Sequence, residues 1–405
     1  MRNIKWTHRI FAIVLVAAWL GYSVVNMVAI KPTFESDINR GWDFNSRLEN
    51  VKQAATGSIL QQNILQNING YKNLILGKEM VFVDGDLSII RGNDGYLYYS
   101  NNFPYETYDF STQALQLKEI QDAVTENGGS FLFVNFPDLF VEDFSESDLP
   151  ISNLNARSNA FLYALQGYDV ASMDARRVLD DSALMPSEYR YKTEPHWTTQ
   201  AGFETYLAIL DWMEQQGDQA GDNAFFVDRN NYKQTVYSNA FSGEMGQRVG
   251  ETYAGRDDFV LIEPDFDTGF SMSYHKESTL EPKQGDFDSV FLNKYWLNKP
   301  NTSDYVRDLY NTYLTTLYTF RQIDNTMNPD GPKVLIIGDT YMLPVASFIS
   351  NAAGEVTLLW PYGLPEMDDV DTLLDYIEMN DFDHVIIGLN PGSMYEGGFN
   401  FLAGI

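Results

Sequence analysis

Val334-Leu335-Ile336-Ile337-Gly338-Asp339-Thr340-Tyr341 sets an unbroken branched aliphatic run ahead of a short polar loop. Such a run reads as a strand buried on both faces, the kind found in parallel sheets covered by helices. His384-Val385-Ile386-Ile387-Gly388-Leu389-Asn390 repeats the pattern. A third apolar strand, Phe131–Phe136, ends at Pro137 and follows a helix expected from about Ser111. That helix carries Leu115, Leu117 and Ile120 and stops at Asn127-Gly128-Gly129. A further helix is expected from near Thr198 to about Gln216, with Phe203, Tyr206, Leu207, Leu210 and Met213 on one side. The alternation predicts an α/β fold, a parallel sheet flanked by helices. Ligands bind such sheets beyond the carboxyl ends of the strands, which makes Gly338-Asp339-Thr340 and Gly388-Leu389-Asn390 candidate site loops.

Around this frame, Ser88–Tyr99 reads as a β-hairpin turning at Asn93-Asp94-Gly95. Residues 251–330, rich in Tyr, Phe, Asp and Asn, show no β-α alternation. They read as a long insertion, partly helical near Tyr305–Phe320. Its aromatics Tyr274, Phe287, Phe291, Tyr295 and Trp296 suit either a subdomain core or stacking on sugar rings.

At the N-terminus, Arg2, Lys5 and Arg9 precede an uncharged apolar run from Ile10 to Ile30. That is about the ~20 residues a helix needs to cross a bilayer core. Basic residues before the run, with Glu35 and Asp37 after it, place the N-terminus in the cytoplasm. The expected organisation is a cytoplasmic leader (1–9), a single-pass membrane anchor (10–30), a stalk (31–80) and an extracytoplasmic domain (81–405). In the stalk, Ile59, Leu60, Ile64, Ile68 and Tyr71 recur at helical spacing. A cleaved signal peptide is the alternative for the apolar run. A helix packed on the domain is the alternative for the stalk.

Composition excludes several functions. A formal net charge of -29 argues against nucleic acid as a partner and against a strongly polyanionic substrate. The chain has no cysteine, which removes disulfides, thiolate metal sites and cysteine nucleophiles. No phosphate-binding loop, dinucleotide fingerprint or clustered metal-ligand spacing is present, so neither cofactor nor metal is expected.

Of the four histidines, His8 lies in the leader, His275 sits in the insertion and His384 starts a strand. His196 is the informative one, in Tyr191-Lys192-Thr193-Glu194-Pro195-His196-Trp197-Thr198 just before a helix. Pro195 biases Glu194 away from helical backbone angles. A carboxylate two residues before an imidazole can orient the ring and stabilise its protonated form. Trp197 is placed to wall the site. Thr340 puts a hydroxyl at the start of an expected helix, where its own N–H can face an oxyanion. Plainer roles remain open for both: a helix-entry histidine and an N-cap threonine.

Together these segments resemble the SGNH hydrolase superfamily, in particular the DHHW family and the alginate O-acetylation proteins. The family's Thr-Asp-His-His-Trp-Thr motif stands here as Thr193-Glu194-Pro195-His196-Trp197-Thr198. Its Gly-Asp-Ser-Tyr loop stands as Gly338-Asp339-Thr340-Tyr341. Weaker echoes are the hairpin, the Val134–Pro137 strand end, Phe241–Arg248 and Asn390. The resemblance covers roughly residues 80–400. It implies an SGNH-like (flavodoxin-like) sheet and acyl transfer or ester hydrolysis on a cell-surface or exopolysaccharide, in company with a multi-pass membrane O-acyltransferase. By carry-over, Thr340 is the nucleophile, His196 the base and Glu194 the orienter. Gly243, Asn390, Asp339 and Trp197 form the oxyanion and substrate-binding set. The departures fall on the working positions: Thr340 for serine, Glu194 for aspartate, Pro195 for the first histidine. A non-catalytic relative that binds glycan or scaffolds an acyltransferase complex is therefore the second expectation.

Overall fold

The computed structural model describes residues 62–84, 87–92, 94–100, 108–138, 154–217, 223–274, 280–295, 297, 309–314, 320–362 and 372–405, with Ile13, Val16, Ala17 and Leu20. Met1–Asn69 and Gly70–Ile405 are separate compact units, and the site lies in the second. Among the described residues no helix is long and apolar enough to cross a membrane. The expected anchor lies outside the described residues, apart from helical, exposed Ile13, Val16, Ala17 and Leu20. Of the stalk, Gln62–Ile75 is a helix whose expected stripe residues Ile68 and Tyr71 face solvent.

The first strands, β1 (Met80–Asp84), β2 (Leu87–Arg91) and β3 (Leu97–Tyr99), form a small antiparallel sheet. The expected hairpin is β2–β3, pairing Ile90 with Tyr98; Asn93 of its turn lies outside the described residues. A central sheet of eight strands follows. Its parallel portion takes the order β5 (Ser172–Asp174), β4 (Ser130–Asn135), β13 (His384–Leu389), β11 (Lys333–Gly338), β12 (Glu355–Leu359).

Both faces of this portion are covered, and the alternation along each strand shows how. Leu132, Val134, Val334, Ile336 and Ile386 pack with the Thr199–Gln215 and Met342–Ala352 helices. Their neighbours Phe131, Phe133, Leu335, Ile337, Val385 and Ile387 pack with the helices Ser111–Glu126, Asn155–Gly167 and Leu373–Met379. A strand with water on neither side has no polar face, which is why these read as continuous apolar runs. The second expected helix buries Phe203, Tyr206, Leu207, Leu210 and Met213, as its spacing predicts.

The sheet is not parallel throughout. Beyond β12 come β10 (Phe320–Asn325), β8 (Phe270–Tyr274) and β9 (Lys283–Gly285), each antiparallel to its neighbour. The segment 251–330, expected as an insertion, thus supplies the edge of the main sheet. Polar residues at buried positions hid β10. Arg321 and Asn325 lie inside, where Arg321 Nη1 donates to Leu314 O and Asn325 Nδ2 to Ser350 O and Asn351 O. Near Tyr305–Phe320 the described helical piece is the single turn Tyr310–Thr312. The remaining ribbon, β6 (Tyr232–Phe241) with β7 (Asp257–Pro264), delivers Gly243 and Asp257 to the site.

Phe287 and Phe291 are buried, so they belong to the core rather than to a sugar-stacking surface. Tyr274 packs partly on that core, Tyr295 is exposed, and Trp296 lies outside the described residues. Fully buried Phe348 meets the rings of Phe203, Tyr206, Tyr313 and Phe287 at 5.1, 5.5, 5.6 and 5.9 Å. Phe348→Ala is expected to cost about 3–5 kcal/mol through lost burial and an unfilled cavity, read as a lower denaturant midpoint.

Candidate active site

Thr340 follows β11 directly and leads into the Met342–Ala352 helix. Its partners come from a loop 144 positions earlier, yet the contact is close: His196 Nε2 lies 2.7 Å from Thr340 Oγ1. His196 Nδ1 lies 2.7 Å from Glu194 Oε1. An ionised carboxylate only accepts, so Nδ1 carries the proton and donates to Glu194. Nε2 is then the acceptor for the Thr340 hydroxyl. Thr340 is half-buried and the His196 side chain is 19% exposed, so a ligand can reach the reacting atoms.

Glu194 itself is only 4% exposed, and both its oxygens are engaged. Oε2 accepts from the Glu244 N–H at 2.7 Å. Glycine at 243 permits this approach, because a Cβ there would stand 2.3 Å from Glu194 Cβ and 2.6 Å from Oε2. The strut beneath is Thr193. Its hydroxyl donates to Asp257 and accepts from the Gly243 N–H at 2.7 Å. Asp257 also accepts from the backbone of Lys192 and Thr193. Burial holds the Asp257 carboxyl above its usual range, opposed by these donors. The β2–β3 hairpin steadies the same segment: Leu97 N–H bonds Lys192 O, and the Arg190 guanidinium lies 4.4 Å from the Tyr96 and Tyr98 rings.

Two tyrosines join the halves of the site. Tyr341 donates to Pro195 O at 2.7 Å, fixing the residue between carboxylate and imidazole. Tyr310 stacks on His196 with ring centroids 4.0 Å apart and planes 13° from parallel. Its hydroxyl accepts from Trp197 Nε1 at 3.1 Å and donates to Thr340 O at 3.0 Å. Burial keeps both phenols far above their ordinary range, so both stay protonated donors at neutral pH. Trp197 is fully buried, so it reaches the site as a donor to Tyr310 and a packing partner of Phe136 rather than as an open wall. Thr198 caps the helix that follows, accepting from Ala201 N–H.

Asp339 ties the nucleophile loop to the neighbouring strand end. Its carboxylate accepts from the N–H groups of Tyr341 and Asn390, at 3.0 and 2.7 Å. Burial raises this carboxyl, against those donors. It organises the loops and does not face a ligand directly. Asn390 Nδ2 donates to Pro137 O at 2.9 Å, and its Oδ1 accepts from the Gly392 N–H at 2.8 Å. Gly243 differs from the expectation: its one N–H is bonded to Thr193, so in this arrangement it leaves no hydrogen for an oxyanion. The Thr340 N–H has no acceptor among the described residues.

Tyr310, Asp257 and Thr193 carry roles that the sequence did not assign. Tyr310 lies in the segment read as an insertion, and nothing in its surroundings marks it. Thr193 belongs to the quoted motif, and that membership was the available signal.

No family model matches the chain, and neither does any curated protein. Solved structures do. A DHHW family protein from Eubacterium siraeum is 15% identical, over 80% of this chain and 97% of that one, with a TM-score of 0.56. PatB1 from Bacillus cereus is 16% identical, over 78% and 99%, with a TM-score of 0.60. PatB1 with a sulfonyl adduct is also 16% identical, over 79% and 99%, at 0.59. At these identities the likeness establishes a shared fold, and it is the fold that the two motifs imply.

Gly243→Ala should push Glu194 off its partners, and any rate that depends on the His196–Thr340 contact should fall by about 10²-fold, the scale of an ångström's misplacement. Tyr310→Leu removes the stack and both hydrogen bonds and should cost a comparable factor in kcat. Tyr310→Phe keeps the stack but loses both hydrogen bonds, and should cost about 30-fold or less, the scale of two lost hydrogen bonds.

Proposed function

We propose, from the fold shared with a DHHW family protein and PatB1, that this chain transfers or hydrolyses O-acetyl groups through Thr340. The observation that carries the reading is the unbroken chain from Glu194 through His196 to Thr340, both links 2.7 Å long. Nucleophile, base and orienter in hydrogen-bond contact are the signature of an activated hydroxyl. That PatB1 is described with a sulfonyl adduct supports it, since a sulfonyl group is an electrophile that a nucleophilic side chain captures.

In this scheme Thr340 Oγ attacks the acyl carbonyl while its proton passes to His196 Nε2. Glu194, fixed by the Glu244 N–H, stabilises the resulting imidazolium. The Thr340 N–H, with the remaining Asn390 amide hydrogen, faces the developing oxyanion. Collapse breaks the ester C–O bond, and the leaving oxygen takes the proton from His196. Acyl-Thr340 remains. A sugar hydroxyl, or water, then loses its proton to His196 and attacks the acyl carbon; the Thr340 C–O bond breaks, and Thr340 Oγ takes the proton back from His196. A sugar acceptor makes the protein a polysaccharide O-acetyltransferase; water makes it an esterase.

The glutamate in place of aspartate suits the geometry. Its longer side chain meets Nδ1 with one oxygen and the Glu244 N–H with the other. The threonine methyl restricts χ1 but leaves Oγ1 on the imidazole. The apolar N-terminal run supports an extracytoplasmic site held at the membrane. There a multi-pass O-acyltransferase would present the acetyl group and a cell-surface polysaccharide would accept it.

p-Nitrophenyl acetate turnover tests the chemistry. Thr340→Ala should abolish it and Thr340→Ser should retain it. Glu194→Gln should cost about 10⁴-fold. The Glu244 N–H claims the amide oxygen of that variant, so its NH₂ faces Nδ1 and forces the proton onto Nε2. Equal turnover in wild type and Thr340→Ala would overturn the proposal and leave a binding role.

A further inference from the structure

The parallel sheet sets β13, β11 and β12 side by side, so the loops after them share one edge. The middle loop carries Thr340. The outer two carry Tyr395, after β13, and Trp360 with Tyr362, after β12. These outer loops meet. Trp360 and Tyr362 have ring centroids 5.0 Å apart, and Tyr362 and Tyr395 5.9 Å apart. Tyr395 is 49% exposed, while Trp360 and Tyr362 are half-buried. A Cβ at Gly397 would lie 2.9 Å from the Tyr395 ring, so glycine there lets the ring lie against the backbone.

The cluster is built into the nucleophile loop. Tyr362 donates to Ser393 Oγ at 3.1 Å, Ser393 N–H bonds Asn390 O at 2.8 Å, and Asn390 N–H bonds the Asp339 carboxylate next to Thr340 at 2.7 Å. Burial pushes the Tyr362 phenol up to about 12, so this donor persists at neutral pH. Unlike buried Phe287 and Phe291, these rings keep part of their surface in water, at the same strand ends as Thr340.

We propose that Trp360, Tyr362 and Tyr395 form an acceptor platform that stacks on the pyranose rings of an uncharged polysaccharide and presents its hydroxyls to Thr340. The inference rests on the acyl-transfer reading for its purpose, though binding itself needs no chemistry. An aromatic face meets the apolar C–H face of a sugar, while phenol and indole edges suit its hydroxyls. The net charge of -29 repels polymers of uronate or phosphate.

Saturation-transfer NMR on the full chain in detergent tests this, with cellohexaose as the neutral probe and polygalacturonate as the charged one. It is run in the wild type and in Thr340→Ala, so the result does not depend on whether Thr340 reacts. Trp360→Ala and Tyr395→Ala should each weaken cellohexaose binding about ten-fold. Trp360→Phe and Tyr395→Phe, which keep a ring, should retain it, separating stacking from misfolding. No transfer to cellohexaose, equal affinity in the alanine variants, or preference for polygalacturonate would each overturn the platform. Platform binding without any ester turnover would instead sink the catalytic reading alone.

Discussion

Glu194 is a carboxylate withdrawn from water, and the site is arranged around satisfying it. A buried carboxylate stays ionised only when donors meet its oxygens, since an uncompensated charge costs several kcal/mol. Here the donors are the Glu244 N–H and His196 Nδ1–H. Each brings a requirement. The backbone can approach only because residue 243 lacks a side chain, and that backbone is itself held by Thr193 and Asp257. The imidazole, fixed at Nδ1, has Nε2 left to face Thr340. A structural need to neutralise one buried oxygen thus sets the tautomer that general-base chemistry requires.

Alignment of the two motifs depends on ties across long sequence separations. Tyr341 reaches back to Pro195, and Tyr310 bridges Trp197 and the Thr340 carbonyl while lying flat on the imidazole. Both tyrosines are buried in close-packed surroundings, so small displacements at the site are resisted by the core. Asp339 does the same on the other side, joining the Thr340 loop to Asn390. The departures from serine and aspartate are absorbed within this frame: the longer glutamate spans its two donors, and the threonine hydroxyl still meets the ring.

The parallel half of the sheet was legible because strands buried on both faces must be apolar at every position, as in Val334–Ile337 and Val385–Ile387. The antiparallel edge was not. β10 buries Arg321 and Asn325, which local pattern assigns to loops, and only tertiary carbonyl partners make their burial tolerable. The contact of Glu194, His196 and Thr340 was foreshadowed by motif order and chemistry. Gly243 was read as a donor, whereas its role here is absence of a side chain, a steric property that becomes visible only once Glu194 is placed. Tyr310 had no local signal, because its importance arises from stacking on a residue more than a hundred positions away.

Intact-mass analysis after treatment with a sulfonyl fluoride shows whether His196 activates the Thr340 hydroxyl, with peptide mapping of any adduct and Thr340→Ala and His196→Ala as comparisons. One adduct per chain is expected, on Thr340, absent from Thr340→Ala and strongly diminished in His196→Ala. An unmodified wild-type chain with an intact fold by circular dichroism, or an adduct confined to another residue, would contradict it.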